Sequence, residues 1–190
     1  AIAPVATLEE CQALGSRGYI TAAERGGQKV EGFDIGNSPF SYMDESLKGR
    51  KVAVTTTNGT LAITKSLIAD HILIGAFLNI TAVAQKLRAL ERDVIIHCAG
   101  WKGSVNLEDT SFAGALIDAL DEEFALTTDD AMMALSLYRA HQANLFETVA
   151  NSAHAKRLEK FGVIKDIEFC VKFDEYEVVP YLLNSELVAD

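Results

Sequence analysis

The sequence has little of what a membrane protein, a nucleic-acid-binding protein or a disulfide-rich secreted protein needs. No apolar run approaches the roughly 20 residues of a transmembrane helix, and no signal peptide is recognisable. Lys and Arg total 17 against 27 Asp and Glu, a formal net charge of −10, which argues against a surface for nucleic acid or anionic membranes. Cys11, Cys98 and Cys170 are few and far apart, so we expect reduced core thiols in a cytoplasmic protein.

Several well-known catalytic motifs are also missing. The sequence has no Walker loop, no Gly-x-Ser-x-Gly elbow and no dinucleotide glycine fingerprint. Cys98 begins a stretch that resembles a cysteine phosphatase loop, but Ser104 stands where that loop needs an arginine. We therefore interpret Cys98 as a core residue rather than a nucleophile. His71, His141 and His154 lack metal-ligand spacing, so we expect them to be structural or surface residues.

What is present is the composition of an ordinary globular protein. The chain has 190 residues, of which 49% are apolar and 23% charged, enough for one sizeable core. Strand-like and helix-like segments alternate along it. Strands are predicted at residues 1–7, near 18, and at 52–55, 71–77, 93–100 and 166–183, and helices after Thr7, at 60–69, 79–90 and 107–120, from Thr128 to about 150, and at 152–160.

This alternation predicts a single α/β domain over residues 1–190. We expect three α/β/α layers around a mostly parallel central sheet, with a mixed C-terminal end left open. Pro180 cannot donate a ladder hydrogen bond, which favours an edge position for the last strand. In such a sheet, ligands collect outside the carboxyl ends of the strands.

Polar residues are concentrated where one predicted core strand ends. Residues 52–54 are apolar, whereas residues 55–60 read Thr-Thr-Thr-Asn-Gly-Thr. Hydroxyls, an amide and glycine-exposed backbone N–H groups at the start of a helix favour a phosphate or carboxylate. A plain helix cap with an Asn-Gly turn is the alternative. Residues 75–79 and 98–104 are expected at the same edge.

The Gly-rich segment at residues 18–43 is predicted to be a long ordered loop, and loops of that length are usually functional. Arg25, followed by Gly26, could present its planar fork to a phosphate or sulfonate without obstruction. Asn37 and Ser38 lie further along the same loop. A solvated loop whose glycines only permit turns is the competing interpretation.

Two carboxylates open the helix predicted at residues 107–120. Asn106 with Asp109 is close to a capping box, and acidic residues suit a helix N-terminus. Alternatively, Glu108, Asp109 or both coordinate Mg²⁺, a hard cation that prefers carboxylate oxygens and water. A cap that faces a ligand pocket could serve both purposes.

Five blocks in register resemble the 2-phosphosulfolactate phosphatase family. They are AERGGQKVEGFDIGNSP, TTTNGT, GAFLN, CAG and LEDTSFAGALID, and their order and spacing match along nearly the whole chain. The resemblance implies a Mg²⁺-dependent acid phosphatase that converts 2-phospho-3-sulfolactate to sulfolactate and phosphate, a step of coenzyme M biosynthesis. The family also has an upstream block resembling Val-Ile-Asp-Val-Leu-Arg-Ala-Thr-Thr, which we expect to precede Ala1.

The resemblance and the residue chemistry together predict the site. Arg25, Asn58 and Asp109 are the expected catalytic residues, and Glu108 and Asp109 the expected Mg²⁺ ligands. The nucleophile stays open between water and an Asp of the upstream block. The residues expected to contact substrate are Glu24, Gly26, Asn37, Ser38, Thr55, Thr56, Thr57, Gly59, Thr60 and Asn79.

Two other functions compete with this prediction. The chain could be a phosphatase of another small phosphorylated 2-hydroxy acid, or an anion-binding module without turnover. In each case the partner is a small anionic ligand and neither a nucleic acid nor a membrane. The apolar, weakly charged residues 131–138 of the long helix would support a homodimer.

Overall fold

A six-stranded mixed sheet forms from short apolar segments near both ends of the chain. The structure is a computed structural model that describes residues 1–120 and 123–189. The strands are β1 (Ile2–Pro4), β2 (Ile20–Arg25), β3 (Gln28–Lys29), β4 (Val52–Thr55), β5 (Tyr181–Leu183) and β6 (Glu186–Val188). In the spatial order β3-β2-β4-β1-β6-β5, the three members β2, β4 and β1 are parallel, and their outer neighbours are antiparallel. The predicted α/β class is confirmed, with the sheet mixed at its edges.

Small side chains let the first helix approach this sheet closely. Ala22, Ala23 and Ala53 are at most 1% exposed, and the thiol of Cys11 on α1 (Leu8–Gly15) lies 3.3 Å from Ala53 O. The predicted cap at Thr7 is confirmed, because its hydroxyl accepts a bond from Glu10 N–H while the Glu10 carboxylate accepts one from Thr7 N–H.

Two compact units divide the chain: residues 1–73 with 180–190, and residues 74–179. The sheet, α1 and α2 (Gly59–Lys65) belong to the first unit. The second unit is helical. Its α-helices are α3 (Ile80–Leu90), α4 (Leu107–Leu120), α5 (Asp129–His141), α6 (Leu145–Ala150), α7 (Ala153–Leu158) and α8 (Ile164–Cys170). That the whole chain forms a single domain stays a prediction.

Helices α4 and α5 of the second unit approach each other closely. A Cβ on Gly114 of α4 would lie 2.1 Å from the carbonyl oxygen of Ala134 on α5, so only glycine permits this approach. Beside it, the fully buried hydroxyl of Ser111 lies 3.0 Å from His141 Nε2. The expectation that His141 is structural agrees with this contact.

Several predicted strands do not form. Residues 93–100 contain no strand and residues 71–77 only one bridge, between Leu73 and Tyr181. An apolar, β-branched run predicts a strand only if a neighbour supplies a ladder, and within the described part of the chain residues 93–100 have none. Ile95 is consequently 92% exposed.

The C-terminal segment was also predicted wrongly in part. Residues 164–170 form α8, because Ile167 and Val171, four residues apart, pack together on the apolar core of the unit. The long helix after Thr128 is interrupted by a 3-10 turn over Gln142–Asn144. Pro180 precedes β5, which lies at the sheet edge as expected.

Two further expectations concern surfaces. Cys11 is buried as predicted, but Cys98 and Cys170 are exposed, so they are not core thiols. Met132 and Met133 are exposed on α5, within the surface proposed for a homodimer, which stays a prediction. Among the described helices none has the length and apolarity to cross a membrane.

Candidate functional site

The carboxyl ends of the three parallel strands place Arg25 and Thr55 side by side. β2 ends at Arg25 and β4 at Thr55, with Ala23 paired to Thr55. The Arg25 guanidinium donates from Nη1 to Glu24 O (2.7 Å) and Thr55 O (3.3 Å), and from Nη2 to Thr55 Oγ1 (3.1 Å). Thr55 Oγ1 donates in turn to Ala6 O (3.3 Å), just beyond β1. This strand-end cluster fixes an arginine at the edge where α/β sheets bind ligands.

Arg25 therefore ends a strand rather than lying in a long loop. Gly26 and Gly27 are the two central residues of a tight hairpin between β2 and β3, and both have positive φ, 68° and 89°. A turn with left-handed backbone at both central positions favours glycine. The Glu24 carboxylate accepts a bond from Gly27 N–H and closes the turn. Glu24 and Gly26 thus stabilise the hairpin turn, and their contact with substrate stays a prediction.

The hydroxyl run after β4 is partly internal. Thr55 is fully buried and Thr60 is buried, with its hydroxyl donating to Thr56 O and its N–H to Thr56 Oγ1. These bonds shape the start of α2, which begins at Gly59. This burial does not favour direct contact of Thr55 or Thr60 with a ligand, and their substrate contact stays a prediction. The half-buried members are Thr56, Thr57, Asn58 and Gly59.

Asn37 and Ser38 follow a segment attached to β2. Ile35 forms a parallel bridge with Ala22, so the chain leaves the sheet at the same end as β2. The Asp34 carboxylate accepts bonds from Thr21 N–H (2.7 Å) and Thr21 Oγ1 (2.8 Å). These bonds hold the pKa of Asp34 below its usual range. Asn37 is exposed and Ser38 half-buried at the start of a 3-10 helix.

In the second unit, a tight loop reaches the start of α4. Asp109 Oδ2 accepts a bond from Gly100 N–H at 2.6 Å, so this carboxylate is attached to the loop. A Cβ on Gly100 would lie 2.6 Å from Ser104 O, and Lys102 and Gly103 both have positive φ. Glycines at residues 100 and 103 therefore permit the turn that brings Trp101 and Ser104 together.

Glu108 is the most unusual carboxylate in this unit. Burial raises the pKa of Glu108, an effect that the positive field of His154 and Arg157 opposes. Its Oε2 is buried without a hydrogen-bond partner among the described residues. A desolvated carboxylate oxygen without a donor is unfavourable unless a proton or a cation satisfies it.

His154 and Arg157 of α7 were not predicted as site residues. His154 Nδ1 lies 3.8 Å from Glu108 Oε1, and Arg157 Nη2 donates to His154 Nδ1 at 2.9 Å. The Arg157 guanidinium also stacks on Trp101, 4.2 Å from the ring centroid. No sequence pattern signals this grouping, because the residues come from three separate segments.

The surroundings of Cys98 agree with the prediction that its thiol is not a nucleophile. Its Sγ lies 3.5 Å from Asp109 O. Although Cys98 is exposed as a whole residue, the atoms packed around its sulfur partly desolvate the thiol, and this effect together with the carboxylates of Asp109 and Asp130 raises the pKa of Cys98 to about 11. The thiol is thus protonated at neutral pH and cannot act as a thiolate.

Asn79 is buried, and its amide bonds to Ala76 N–H, Ile74 O and Val178 O, which does not favour a substrate contact.

No group of three His, Cys, Asp or Glu with metal-binding geometry occurs within residues 1–120 and 123–189. Of the predicted ligands, the orphan Oε2 of Glu108 is the one best suited to a hard cation.

Comparison with known proteins gives a consistent match. Residues 1–185 match the sequence profile of a family described as 2-phosphosulpholactate phosphatase. A protein of Caldanaerobacter subterraneus is 36% identical, covering 97% of this chain and 78% of that one. Proteins of Thermotoga petrophila and Clostridium tetani are each 36% identical, covering 98% and 97% of this chain and 81% and 80% of theirs. All three are named probable 2-phosphosulfolactate phosphatase.

Proposed function

Because the chain belongs to the 2-phosphosulfolactate phosphatase family, we propose that it hydrolyses 2-phosphosulfolactate to 3-sulfolactate and inorganic phosphate. The match over residues 1–185 is the observation that carries this proposal. We propose further that the reaction depends on Mg²⁺ and serves coenzyme M biosynthesis or related sulfonate metabolism in the cytoplasm.

In the first unit, Arg25 would hold an anionic oxygen of the substrate. Such a substrate carries phosphate, carboxylate and sulfonate groups, whereas the protein has a net charge of −10, so positive potential must be supplied locally. The bonds to Glu24 and Thr55 orient the guanidinium. Its Nε–H and one Nη2–H have no partner among the described residues, which leaves donors for a ligand.

The exposed side of the hydroxyl run would complete this anion site. Thr56, Thr57 and Asn58 are half-buried at the end of β4 and offer hydroxyl and amide donors. Gly59 carries no side chain that would cover the backbone there, and Asn37 and Ser38 leave the sheet at the same end as Arg25. We assign Asn58 to orientation of the phosphoryl group.

In the second unit, Glu108 and Asp109 would hold the Mg²⁺ ion. The orphan Oε2 of Glu108 fits a hard cation, and Asp109 keeps one carboxylate oxygen beside the one bonded to Gly100. Mg²⁺ usually retains several waters, so two protein carboxylates suffice. Mg²⁺ held there would supply positive charge for anionic oxygens of a ligand at this unit.

Hydrolysis itself needs positioning more than covalent chemistry. The oxygen of the attacking nucleophile forms a new P–O bond while the ester P–O bond breaks, and the leaving alkoxide takes up a proton to give the hydroxyl of sulfolactate. The nucleophile is water, or a side-chain carboxylate whose phosphoryl intermediate is then hydrolysed by water. Arg25 and the hydroxyls stabilise the charge that develops during this transfer.

The direct test is phosphate release by the purified chain. We expect Mg²⁺-dependent turnover of 2-phosphosulfolactate, slower turnover of 2-phospholactate, and loss of turnover with EDTA. Tight binding of sulfolactate without release of phosphate would instead favour an anion-binding module. Faster turnover of another phosphorylated 2-hydroxy acid would reassign the substrate.

A further inference from the structure

Asn58 and Gly59 form the one Asn-Gly pair of the sequence. The seven asparagines are followed by Ser38, Gly59, Ile80, Leu107, Leu145, Ser152 and Ser185. Asparagine is a labile residue, because the backbone nitrogen of the next residue can attack its side-chain carbonyl carbon. A side chain on that next residue obstructs the attack, and glycine has none. Asn58 is therefore the asparagine most open to this reaction, provided that the fold permits it.

The backbone nitrogen of Gly59 is available as the nucleophile. Gly59 is the first residue of α2, and the first N–H groups of a helix have no partner within that helix. Within residues 1–120 and 123–189, Gly59 N–H donates no hydrogen bond. The next N–H, that of Thr60, is bonded to Thr56 Oγ1 at 3.2 Å. The Gly59 nitrogen can therefore react without giving up a hydrogen bond of the fold.

The local backbone allows the rotation that the attack needs. Asn58 precedes α2 with φ −124° and ψ −44°. Its carbonyl oxygen accepts from Ala62 N–H at 2.9 Å, which is the first hydrogen bond of a helix of seven residues. Because helix ends fray at low cost, the Asn58 side chain can reach the Gly59 nitrogen by opening one turn. Both residues are half-buried, so water reaches them.

Asn151 shows how the fold can block the same reaction. Ser152 N–H, whose nitrogen would attack Asn151, donates to Val149 O at 3.0 Å. The side-chain amide of Asn151 donates to Glu147 O at 2.8 Å. The nucleophile and the amide are thus both held in hydrogen bonds that the reaction would break. Asn151 is the internal control for Asn58.

We propose that Asn58 is a site of spontaneous deamidation in the folded protein. The Gly59 nitrogen forms a bond to Asn58 Cγ while the bond from Cγ to the amide nitrogen breaks. The displaced amide nitrogen takes the proton of Gly59 N–H and leaves as ammonia. Water then opens the five-membered imide at either of its carbonyl carbons, which gives aspartate or isoaspartate at residue 58. Water is the only co-reactant.

Deamidation would add a negative charge close to the strand-end cluster. Asn58 follows Thr55 along the chain, and the Thr55 hydroxyl accepts from Arg25. An aspartate or isoaspartate there is ionised at neutral pH and repels a phosphorylated ligand. This effect on binding rests on the proposed function, whereas the deamidation does not. We therefore expect turnover to decline as residue 58 converts.

Peptide mapping by mass spectrometry of the aged protein tests the proposal. Trypsin cleaves after Lys51 and Lys65, which places Asn58 in the peptide of residues 52–65. After incubation of the folded wild type at neutral pH, this peptide should gain the mass difference between an amide and an acid. It should also separate into aspartate and isoaspartate forms. Asn151 should gain mass only when the chain is incubated unfolded in urea. Conversion of Asn58 in the unfolded chain alone would overturn the proposal.

The variant Gly59→Ala tests the mechanism of the reaction. Gly59 has a helical backbone, which alanine favours. A Cβ there would lie 3.2 Å from Thr56 Oγ1, a contact that a small shift of the hydroxyl relieves, so the variant should fold, as denaturant unfolding checks. We expect its Asn58 to convert at least about tenfold more slowly. Equal rates of mass gain in the variant and the wild type would refute attack by the Gly59 nitrogen.

Turnover measurements distinguish this proposal from the proposed function. During incubation of the wild type, the fraction of turnover lost should follow the fraction of residue 58 converted. Asn58→Asp should show the reduced turnover from the start. Full turnover after complete conversion would refute the effect on ligand binding. If the wild type releases no phosphate before incubation, the proposed function fails, and the mass gain at Asn58 still decides whether the residue deamidates.

Discussion

Replacement of Arg25 by Lys tests the strand-end cluster most sharply. Three hydrogen bonds to Glu24 O, Thr55 O and Thr55 Oγ1 fix the guanidinium at the end of β2. A lysine ammonium keeps the charge but cannot hold these acceptors and a ligand in one plane. Loss of one such contact in the transition state removes about 2–4 kcal/mol, or roughly 30- to 1000-fold in kcat/KM.

The assay is steady-state phosphate release from 2-phosphosulfolactate, with denaturant unfolding of each variant beside it. Arg17→Lys is the matched control, because Arg17 is exposed and its replacement leaves the net charge the same. We expect Arg25→Lys to lose turnover while Arg17→Lys keeps the wild-type kcat/KM. Wild-type turnover by Arg25→Lys would refute the role of this arginine.

Replacement of Thr55 by Val tests whether the Thr55 hydroxyl positions Arg25 or contacts the ligand itself. Valine keeps the β-branched shape but removes the hydroxyl that accepts from Arg25 and donates to Ala6 O. If Thr55 acts through Arg25, the double variant should be no slower than Arg25→Lys alone, since the two losses are not additive. Fully additive losses would instead place the Thr55 hydroxyl in contact with the ligand, against its complete burial.

The remaining predictions concern packing, metal binding and pH. Gly114→Ala, whose Cβ would meet Ala134 O at 2.1 Å, should lower the free energy of unfolding by about 1–3 kcal/mol, measured with denaturant; an unchanged midpoint would contradict the helix contact. Glu108→Gln should weaken Mg²⁺ binding in calorimetry, and unchanged affinity would reject this carboxylate as a ligand. Asp34→Asn should lower stability at pH 7; because the folded-state pKa of Asp34 is depressed, the difference should shrink below about pH 4 as the carboxylate protonates. A difference that persists at low pH would contradict this.

The parallel centre of the sheet was predictable because its signals are local. The apolar run that ends in polar residues at Thr55 marks a strand that stops at one edge, and the Thr7 capping box needs only four residues, whereas the strand that ends at Arg25 was predicted as part of a loop. Pro180 likewise excludes a central strand by its own chemistry. Such features follow from residues close together in sequence, so one chain is enough to identify them.

Features that depend on distant partners were not predictable. Residues 93–100 have the composition of a strand, but a strand needs a ladder partner that the run itself does not specify. Ile167 and Val171 satisfy both a period of two and a spacing of i, i+4, and only packing against the helical core decides for α8. Asn79 was assigned to substrate because residues 71–77 were predicted to be a strand ending at the ligand edge, whereas its amide bonds to the nearby Ala76 N–H and Ile74 O and to the distant Val178 O.

The pairing of arginines explains how an acidic protein can present positive potential. Arg88 and Arg139 each lie 2.7 Å from a carboxylate, which cancels most of their charge at a distance. Arg25 is held by carbonyl and hydroxyl oxygens, and Arg157 by an indole ring and an imidazole, so within the described residues neither guanidinium is held by a carboxylate. Orientation without neutralisation keeps the attraction for an anion while removing the entropy loss of ordering the side chain on binding. Substitution of either arginine should therefore weaken anion binding far more than substitution of Arg88 or Arg139, whose loss should appear in stability.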